Sequence, residues 1–389
     1  MIRKCFLCNS NKVETIVIQT WDLPGLDSQE IGFSICPECG LILQSPSLDC
    51  IDMNKYYTET ATYINPGRKG KPTLNKQKDV ERLIKTTIEV VGKIPNSAFQ
   101  VGCSDGYTLS KFHNAGIPFV EGIDPSFASH KLSQELYNIQ TIVGTFEEFT
   151  PKRQYDLVIL THVLEHLYDP TKIMNKCFNM QENGNWALIE VPLFERIDKF
   201  PPGLLSLEHL NYFSESTLLR LLYLTGYVPY LIGKLFYNNE YPVITVVARK
   251  EKSKSIELMS DYNRANSLLI NYCEKNGVGW KRIELKVKKQ LKKGTFCYVW
   301  GAGIHTSQLF AFTDLNKYLI VKGLLDSSPT KWGKQFGDLK CYSPDTVDLK
   351  AGDTIIISSY ASEKEIYESL EKYRRIGVTI IRLYGGIME

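Results

Sequence analysis

One device in this chain narrows the possible folds more than any other: a glycine turn followed by an acid at a set distance. In SAFQVGCSDGYTLSKF an apolar run at 97–101 leads into Gly102 and Gly106, and a helical pattern opens near Tyr107. FVEGIDPS then supplies a second apolar run ending in Asp124, 22 residues after Gly102. Strand, tight turn, helix and strand in that order open a doubly wound α/β sheet, which binds ligands beyond the carboxyl ends of its strands. The glycines let a ligand approach the backbone at the helix N-terminus, and an acid about 20 residues on accepts ribose hydroxyls. The expected ligand therefore contains adenosine or a close relative. The turn is G-x-x-x-G with Asp105 inside it, and a loop built for pyrophosphate avoids a carboxylate beside the phosphates. S-adenosylmethionine carries no phosphate and fits better.

The chain has 389 residues, 43% of them apolar. Single cores rarely grow past about 250–300 residues, so several domains are expected. The formal charge of +3 gives no general attraction to polyanions. MIRKCFLCNSNK has no apolar run of signal-peptide type. The most apolar stretch, 218–236, is broken by Arg220, Gly226, Pro229 and Lys234 and is not expected to span a membrane. A soluble cytoplasmic protein is the expectation, and its ten cysteines then suggest metal ligands or reduced thiols before disulfides.

Cys5-x-x-Cys8 and Cys36-x-x-Cys39 are two knuckle-like pairs, with Gly40 relieving the backbone after the second. Four thiolates suit tetrahedral zinc, and because the protein fills all four positions the site is structural. Cys50, Cys103, Cys177, Cys273, Cys297 and Cys341 lack such partners.

Further strands are expected before TFEEF (145–149), in YDLVILT and at IEVP (189–192). The succession resembles the class I methyltransferase fold. That resemblance implies that the first loop (Gly102, Cys103, Asp105, Gly106) faces the methionine end of the cofactor. It places Asp124 at the ribose and Thr145–Phe146 at the adenine. In THVLEHLYDP, His162, Glu165 and His166 follow a strand end, where ligands bind. Glu165 and His166 serve equally well at a helix start, with Asp169-Pro170 as N-cap and first residue. His162 is the better candidate for substrate and cofactor contact.

With the cysteine pairs, GCSDG, HVLEH, IEVP and EHLNYF (208–213) in order, nearly the whole chain resembles the sugar C-methyltransferases of deoxysugar biosynthesis. The resemblance implies a class I, Rossmann-like methyltransferase core at 71–250. It is flanked by a zinc-binding module at 1–70 and a second Rossmann-like domain at 251–389 that holds a nucleotide-sugar. It implies that His209 is the catalytic base, oriented by Glu208, with Tyr212 and one of Tyr57 or Tyr63 lining the sugar pocket. The chemistry agrees: a carbon beside a ketone is a weak acid, and a neutral histidine can accept its proton near pH 7.

Residues 251–293 end in KRIELKVKKQLKK and read as a solvated helix leading into the last domain. FCYVWGAGIHTSQLF and VKGLLD then repeat the strand, glycine turn, helix and strand, ending in Asp326. By the same resemblance Trp300, Gly301, Ala302, Asp326 and Lys331 hold the nucleotide-sugar, with Lys331 as a point charge for a diphosphate. Gly303–Ser307 departs from the family's Ser-Ala-Lys-Gly-Asn loop, which keeps O-methylation of a sugar or another small metabolite open. A nucleic-acid methyltransferase expects an (N/D)PPY-like motif or a Pro-Cys nucleophile where this chain has THVLEH and EVPL. A noncatalytic protein on an inherited fold expects lost pocket groups, yet Asp124, His162, Glu208 and His209 are present. The expected partner is a small nucleotide-sugar, with no nucleic acid or membrane, and the protein is expected to be a monomer or homodimer.

Overall fold

The computed structural model describes residues 2–23, 26–48, 71–196, 203–237, 241–251, 260–360 and 362–385. Three sheets carry the architecture. The first contains strands β1 (Glu14–Leu23), β2 (Leu26–Ile35) and β3 (Ile42–Gln44), all antiparallel. Its fourth strand is supplied from far along the chain. It is β9 (Asn211–Tyr212), counting strands in chain order, and it pairs antiparallel with β3.

The second sheet begins with helix α1 (Leu74–Val91), which is capped by the Thr73 hydroxyl at its start and by Gly92 in the left-handed conformation at its end. Its strands are β4 (Ser97–Val101), β5 (Phe119–Asp124), β6 (Ile142–Val143), β7 (Leu157–Thr161), β8 (Trp186–Pro192), β10 (Tyr227–Tyr237) and β11 (Tyr241–Lys250). They lie in the order β10-β11-β8-β7-β4-β5-β6. Every pairing is parallel except those of β11, which runs against both neighbours. The crossovers are α2 (Tyr107–Asn114), α3 (Phe127–Tyr137), α4 (Pro170–Asn179) and α5 (Glu215–Leu224). Strands β4 and β7 are buried along their whole lengths. A sheet covered on both faces needs such continuous apolar runs. The strand limits 97–101 and 119–124 fall where the sequence places them, because the glycine turn and Asp124 punctuate the chain there.

Helix α6 (Tyr262–Gln290) leads into the third sheet and is not a solvated connector. Ala265, Leu269 and Tyr272 pack with Trp21 and Phe33 of the first sheet, while Trp280, Ile283 and Val287 pack with Val299 and Leu309 of the third. Leu285 faces solvent, half exposed. One helix thus serves two cores, on stripes that drift around its axis. A search for a single apolar face over 251–293 cannot register that pattern. The third sheet holds β12 (Phe296–Trp300), β13 (Ile320–Leu325), β14 (Gln335–Phe336), β15 (Leu339–Tyr342), β16 (Thr354–Ile357) and β17 (Thr379–Arg382), in the order β14-β15-β13-β12-β16-β17. All its pairings are parallel except β14 with β15. Helix α7 (Ile304–Phe312) follows its glycine turn.

The first sheet clamps one segment of the second unit. Gln44 donates from Nε2 to the carbonyls of Ser206, Leu207 and His209 at 2.6, 3.1 and 2.8 Å. The Arg3 guanidinium reaches the Leu210 carbonyl at 2.8 Å, the Tyr168 carbonyl at 2.8 Å and Asn211 Oδ1 at 2.9 Å. From the third unit, Gln308 Nε2 donates to the Gly203 and Leu205 carbonyls at 2.8 and 3.0 Å. Residues 203–212 are therefore held by all three units. Substituting Gln44 by leucine strands three buried carbonyls, and the expected result is a destabilisation of about 1–3 kcal/mol, read as a lower urea midpoint. Among the described residues, no helix is long and apolar enough to cross a membrane.

Candidate active site and metal centre

The glycine turn is built as a ligand-facing loop. Gly102 sits at φ +65, where a side chain is strained, and a Cβ there meets Val163 Cγ2 at 2.6 Å. Replacing Gly102 by alanine should lower the unfolding midpoint by the equivalent of about 1–3 kcal/mol, from strain and overlap together. Asp124 ties the turn to the end of β5: Oδ2 accepts from the Ser104 amide and Oδ1 from the Ser126 amide, both at 2.9 Å. Burial raises the Asp124 pKa, and those two amides oppose the rise. Each oxygen keeps a lone pair, so two hydroxyls can still be accepted. Asp105 caps its own turn by accepting from the Tyr107 amide at 3.1 Å.

Two of the residues expected to meet the cofactor face inward. The Cys103 side chain is buried against Gly122 and Leu109. Phe146 is buried in a ring cluster with Phe99 and Phe149. What these two can present to a ligand is their backbone, and Thr145 is half-buried beside them. In an alternating buried and exposed loop, sequence alone does not tell which residue turns in.

Beyond β7 the chain forms a short 3-10 turn, Leu164–His166, and Asp169 then caps α4 by accepting from the Lys172 amide at 2.9 Å. His162 lies at φ +56, an uncommon conformation for a side-chain-bearing residue that is concentrated at functional sites. Its Nδ1 is 3.5 Å from Glu165 Oε1 and its Nε2 is 3.5 Å from Glu190 Oε1. Glu190 is fully buried, paired with Arg82 at 2.7 Å and bonded by the Thr245 hydroxyl. Burial raises the Glu190 pKa, but His162 and Arg82 outweigh it and lower it to about 2. Burial likewise lowers the His162 pKa, but Glu165 and Glu190 outweigh it and raise it to about 9. Because that value exceeds the unfolded one of roughly 6.5, His162 adds stability fully present below about pH 6.5 and lost as pH rises through about 9. Wild-type protein should lose urea resistance between about pH 7 and 10 more steeply than His162→Gln.

His209 stands against this turn. Its ring meets His166 edge-on with centroids 5.0 Å apart, and His166 Nδ1 lies 2.9 Å from the Glu208 carbonyl oxygen. Burial lowers the His209 pKa to about 3, His166 adds to the effect and Glu165 opposes it. The ring is neutral at physiological pH. The EHLNYF segment lies next to this turn. It is an extended stretch beside the loop that covers Gly102, followed by Ser214 as the N-cap of α5. Tyr212 is not a pocket residue: it is buried with Phe33 and Phe194, and its hydroxyl accepts from the Ser206 amide at 3.1 Å. It props the turn that carries His209. Tyr57 and Tyr63 lie outside the described residues, as does Cys50.

Glu190 and Arg82 were missed by sequence reasoning. The available signal was an acid in the otherwise apolar strand 186–192, since a buried charge demands a partner.

The four front cysteines converge. Cys5 Sγ is 3.5 Å from Cys39 Sγ, and Cys8 Sγ is 3.4 Å from Cys36 Sγ. Both knuckles close alike: the Asn9 amide donates to the Cys5 carbonyl at 2.9 Å with φ +58, and the Gly40 amide donates to the Cys36 carbonyl at 2.8 Å with φ +79. Four thiols at these separations form a closed metal-ligand set.

The third unit repeats the Asp124 arrangement. Asp326 accepts from the Ala302 amide at 2.8 Å and the Ser328 amide at 2.9 Å. It also holds Lys331 Nζ at 3.0 Å, so that ammonium is already neutralised. Gly301 meets the Ser358 carbonyl where a Cβ would lie, and Trp300 is buried. His305 is enclosed: Nδ1 contacts Ser358 Oγ at 2.9 Å, Nε2 contacts the Tyr384 hydroxyl, and burial lowers its pKa to about 4.

Residues 77–230 match the family model of a methyltransferase domain, and residues 295–379 match the model described as C2185-like, N-terminal. Among solved structures, the chain is similar to the N-methyltransferase NodS from Bradyrhizobium japonicum WM9, in complex with S-adenosyl-L-homocysteine. The identity is 11%, over 49% of this chain and 94% of that one, with a TM-score of 0.38. It is also similar to magnesium protoporphyrin IX methyltransferase from Synechocystis PCC 6803, at 17% identity over 52% and 100% of the two chains, with a TM-score of 0.39. No curated protein gives a significant sequence match. The domain match, the seven-strand order with one reversed strand and the Asp124-tied glycine turn define a class I methyltransferase fold. The chain is an S-adenosylmethionine-dependent methyltransferase.

Proposed function

We propose that the chain transfers a methyl group to carbon on a nucleotide-linked keto-deoxysugar, by base-assisted enolate formation. The cofactor lies over the Gly102–Gly106 turn with its ribose on Asp124. His209 removes the proton beside the ketone, and the imidazolium so formed rests against the Glu165 carboxylate. The cationic His162, between two carboxylates, faces the developing enolate. The observation that carries the reading is the neutral His209 ring packed on the loop that covers the glycine turn. Zinc on Cys5, Cys8, Cys36 and Cys39 is structural, and it anchors the sheet that clamps residues 206–211. The proposed units are 1–70, 71–250 and 251–389, the last holding the nucleotide-sugar through Trp300, Gly301, Asp326 and Lys331. The proposed setting is the cytoplasm, as monomer or homodimer.

O-methylation of a sugar or another small metabolite is the second reading. The engaged Lys331 favours it, because a diphosphate must compete with Asp326 for that ammonium. Methyl-labelled cofactor incubated with a panel of nucleotide-sugars separates the two. Label on carbon of a keto-sugar supports the first reading, and label only on oxygen, or only in RNA, removes it.

A further inference from the structure

Three side chains bring ligand-type atoms within 4.8 Å of one another: Glu165 and His166, from the turn after β7, and His209, from the stretch before β9. Glu165 is 1% exposed, and neither of its carboxylate oxygens has a hydrogen bond. The cationic His162 ring, 3.5 Å from Oε1, answers part of that charge but is shared with Glu190, and Oε2 accepts no hydrogen bond. His166 Nε2 lies 3.8 Å from Glu165 Oε1. The other nitrogen, Nδ1, is 2.9 Å from the Glu208 carbonyl oxygen, which can only accept. Nδ1 therefore carries a hydrogen, and in the neutral ring Nε2, 3.8 Å from the carboxylate, is the nitrogen with the lone pair. A backbone carbonyl fixing the far nitrogen is the outer-shell arrangement that orients metal-binding histidines. His209 supplies a third donor: one ring nitrogen and the other two ligand atoms all lie within 4.8 Å of one another.

We propose that Glu165, His166 and His209 bind a divalent first-row transition ion, with coordination positions left open for substrate oxygens. Two imidazoles and one carboxylate suit Zn2+, Fe2+ or Co2+ rather than Ca2+ or Mg2+, which take oxygen ligands. Bonds of about 2.0–2.2 Å require the donors to draw in to about 3–3.5 Å from one another, an adjustment of about 1 Å at the side-chain ends. A bound ion competes with the His162 charge for Glu165, and Glu190, 3.5 Å from the other side of that ring and paired with Arg82, is the second carboxylate that answers His162. The site is separate from the four cysteines, which are on other elements. It touches the base assignment, because an ion and a proton compete for the same His209 lone pair. With the ion bound, His209 is a ligand and the ion polarises a substrate oxygen.

The test is direct binding. Full-length protein with its cysteine site filled by zinc is titrated with Co2+, followed by calorimetry and visible absorption. One further equivalent should bind, with weak d–d bands and no thiolate charge-transfer band. Glu165→Gln and His166→Gln should each weaken it by at least about tenfold, the lower end of the loss seen for outer-shell partners. His113→Gln, at an exposed position on α2, should bind as wild type does. Absence of a further equivalent in wild type, or equal binding by Glu165→Gln, overturns the proposal. Methyl transfer followed in the same titration keeps the two assignments apart. Activity that falls with occupancy agrees with His209 as base, and activity that rises removes that role while leaving the metal site standing.

Discussion

Replacing His209 by glutamine should lower kcat for methyl transfer by about 10²–10⁴-fold, the usual contribution of a positioned base, while cofactor affinity changes little. The split follows from the geometry. His209 contacts His166, whereas the proposed cofactor contacts come from Asp124 and the Gly102 turn. Burial lowers the ring's pKa to about 3, so its lone pair is present throughout the working pH range. A ring held that low is a weak base on its own. Glu165 pulls the other way, and its carboxylate stabilises the charge that appears only as the proton moves. Glu165→Gln should therefore also reduce kcat, without equal loss of substrate affinity. Wild-type kcat/KM should be flat from about pH 5 to 8, with no inflection near the ordinary histidine value of roughly 6.5. It should fall as pH passes about 9, where His162 loses its charge. An inflection near pH 6.5 that disappears in His209→Gln contradicts the burial argument.

The second large effect comes from the opposite end of the chain. Cys36→Ser should release the proposed zinc and lower kcat by at least about 10²-fold, although Cys36 is not among the residues proposed to meet cofactor or substrate. A closed four-thiolate site contributes folding energy directly, so losing a ligand loosens the knuckles and the sheet built on them. Cys5, Leu7, Cys36, Leu41 and Leu43 share one core with Leu164, in the turn that carries Glu165, and with Leu193 and Phe213. Through Gln44 and Arg3 the same sheet holds the backbone of residues 206–211. A displacement of about 1 Å at a reacting group costs on the order of 10² in rate, so the catalytic loss should exceed the loss in cofactor affinity. Metal content by atomic emission, urea midpoint and kcat measured together test this. Zinc-free protein with unchanged kcat contradicts it.

What local pattern carries was legible. The limits of β4 and β5, the Asp124 position, the Asp169 cap and the cysteine knuckles all follow from residues adjacent in the chain. What depends on distant pairing was not. β9 completes a sheet whose other strands lie more than 160 residues earlier, and nothing in NY predicts that partner. Tyr212 reads as a pocket residue beside His209, yet the pairing of β9 with β3 turns it into the core. Helix α6 looked solvated because its two apolar stripes serve different cores. Lys331 looked available because its partner Asp326 was read only as a ligand contact. The carboxylate facing His209 is Glu165, from the turn after β7, and its role emerges only when the two loops are brought together.

The central claim is that His209 removes a proton from carbon. It is tested most directly by incubating the protein in D2O with a nucleotide-linked keto-sugar and S-adenosyl-L-homocysteine, which cannot donate methyl, and following the hydrogens beside the ketone by NMR. Stereospecific exchange in wild type that is absent from His209→Gln is the predicted result. Exchange that survives the substitution, or no exchange with a substrate that is methylated when the active cofactor is supplied, contradicts the account.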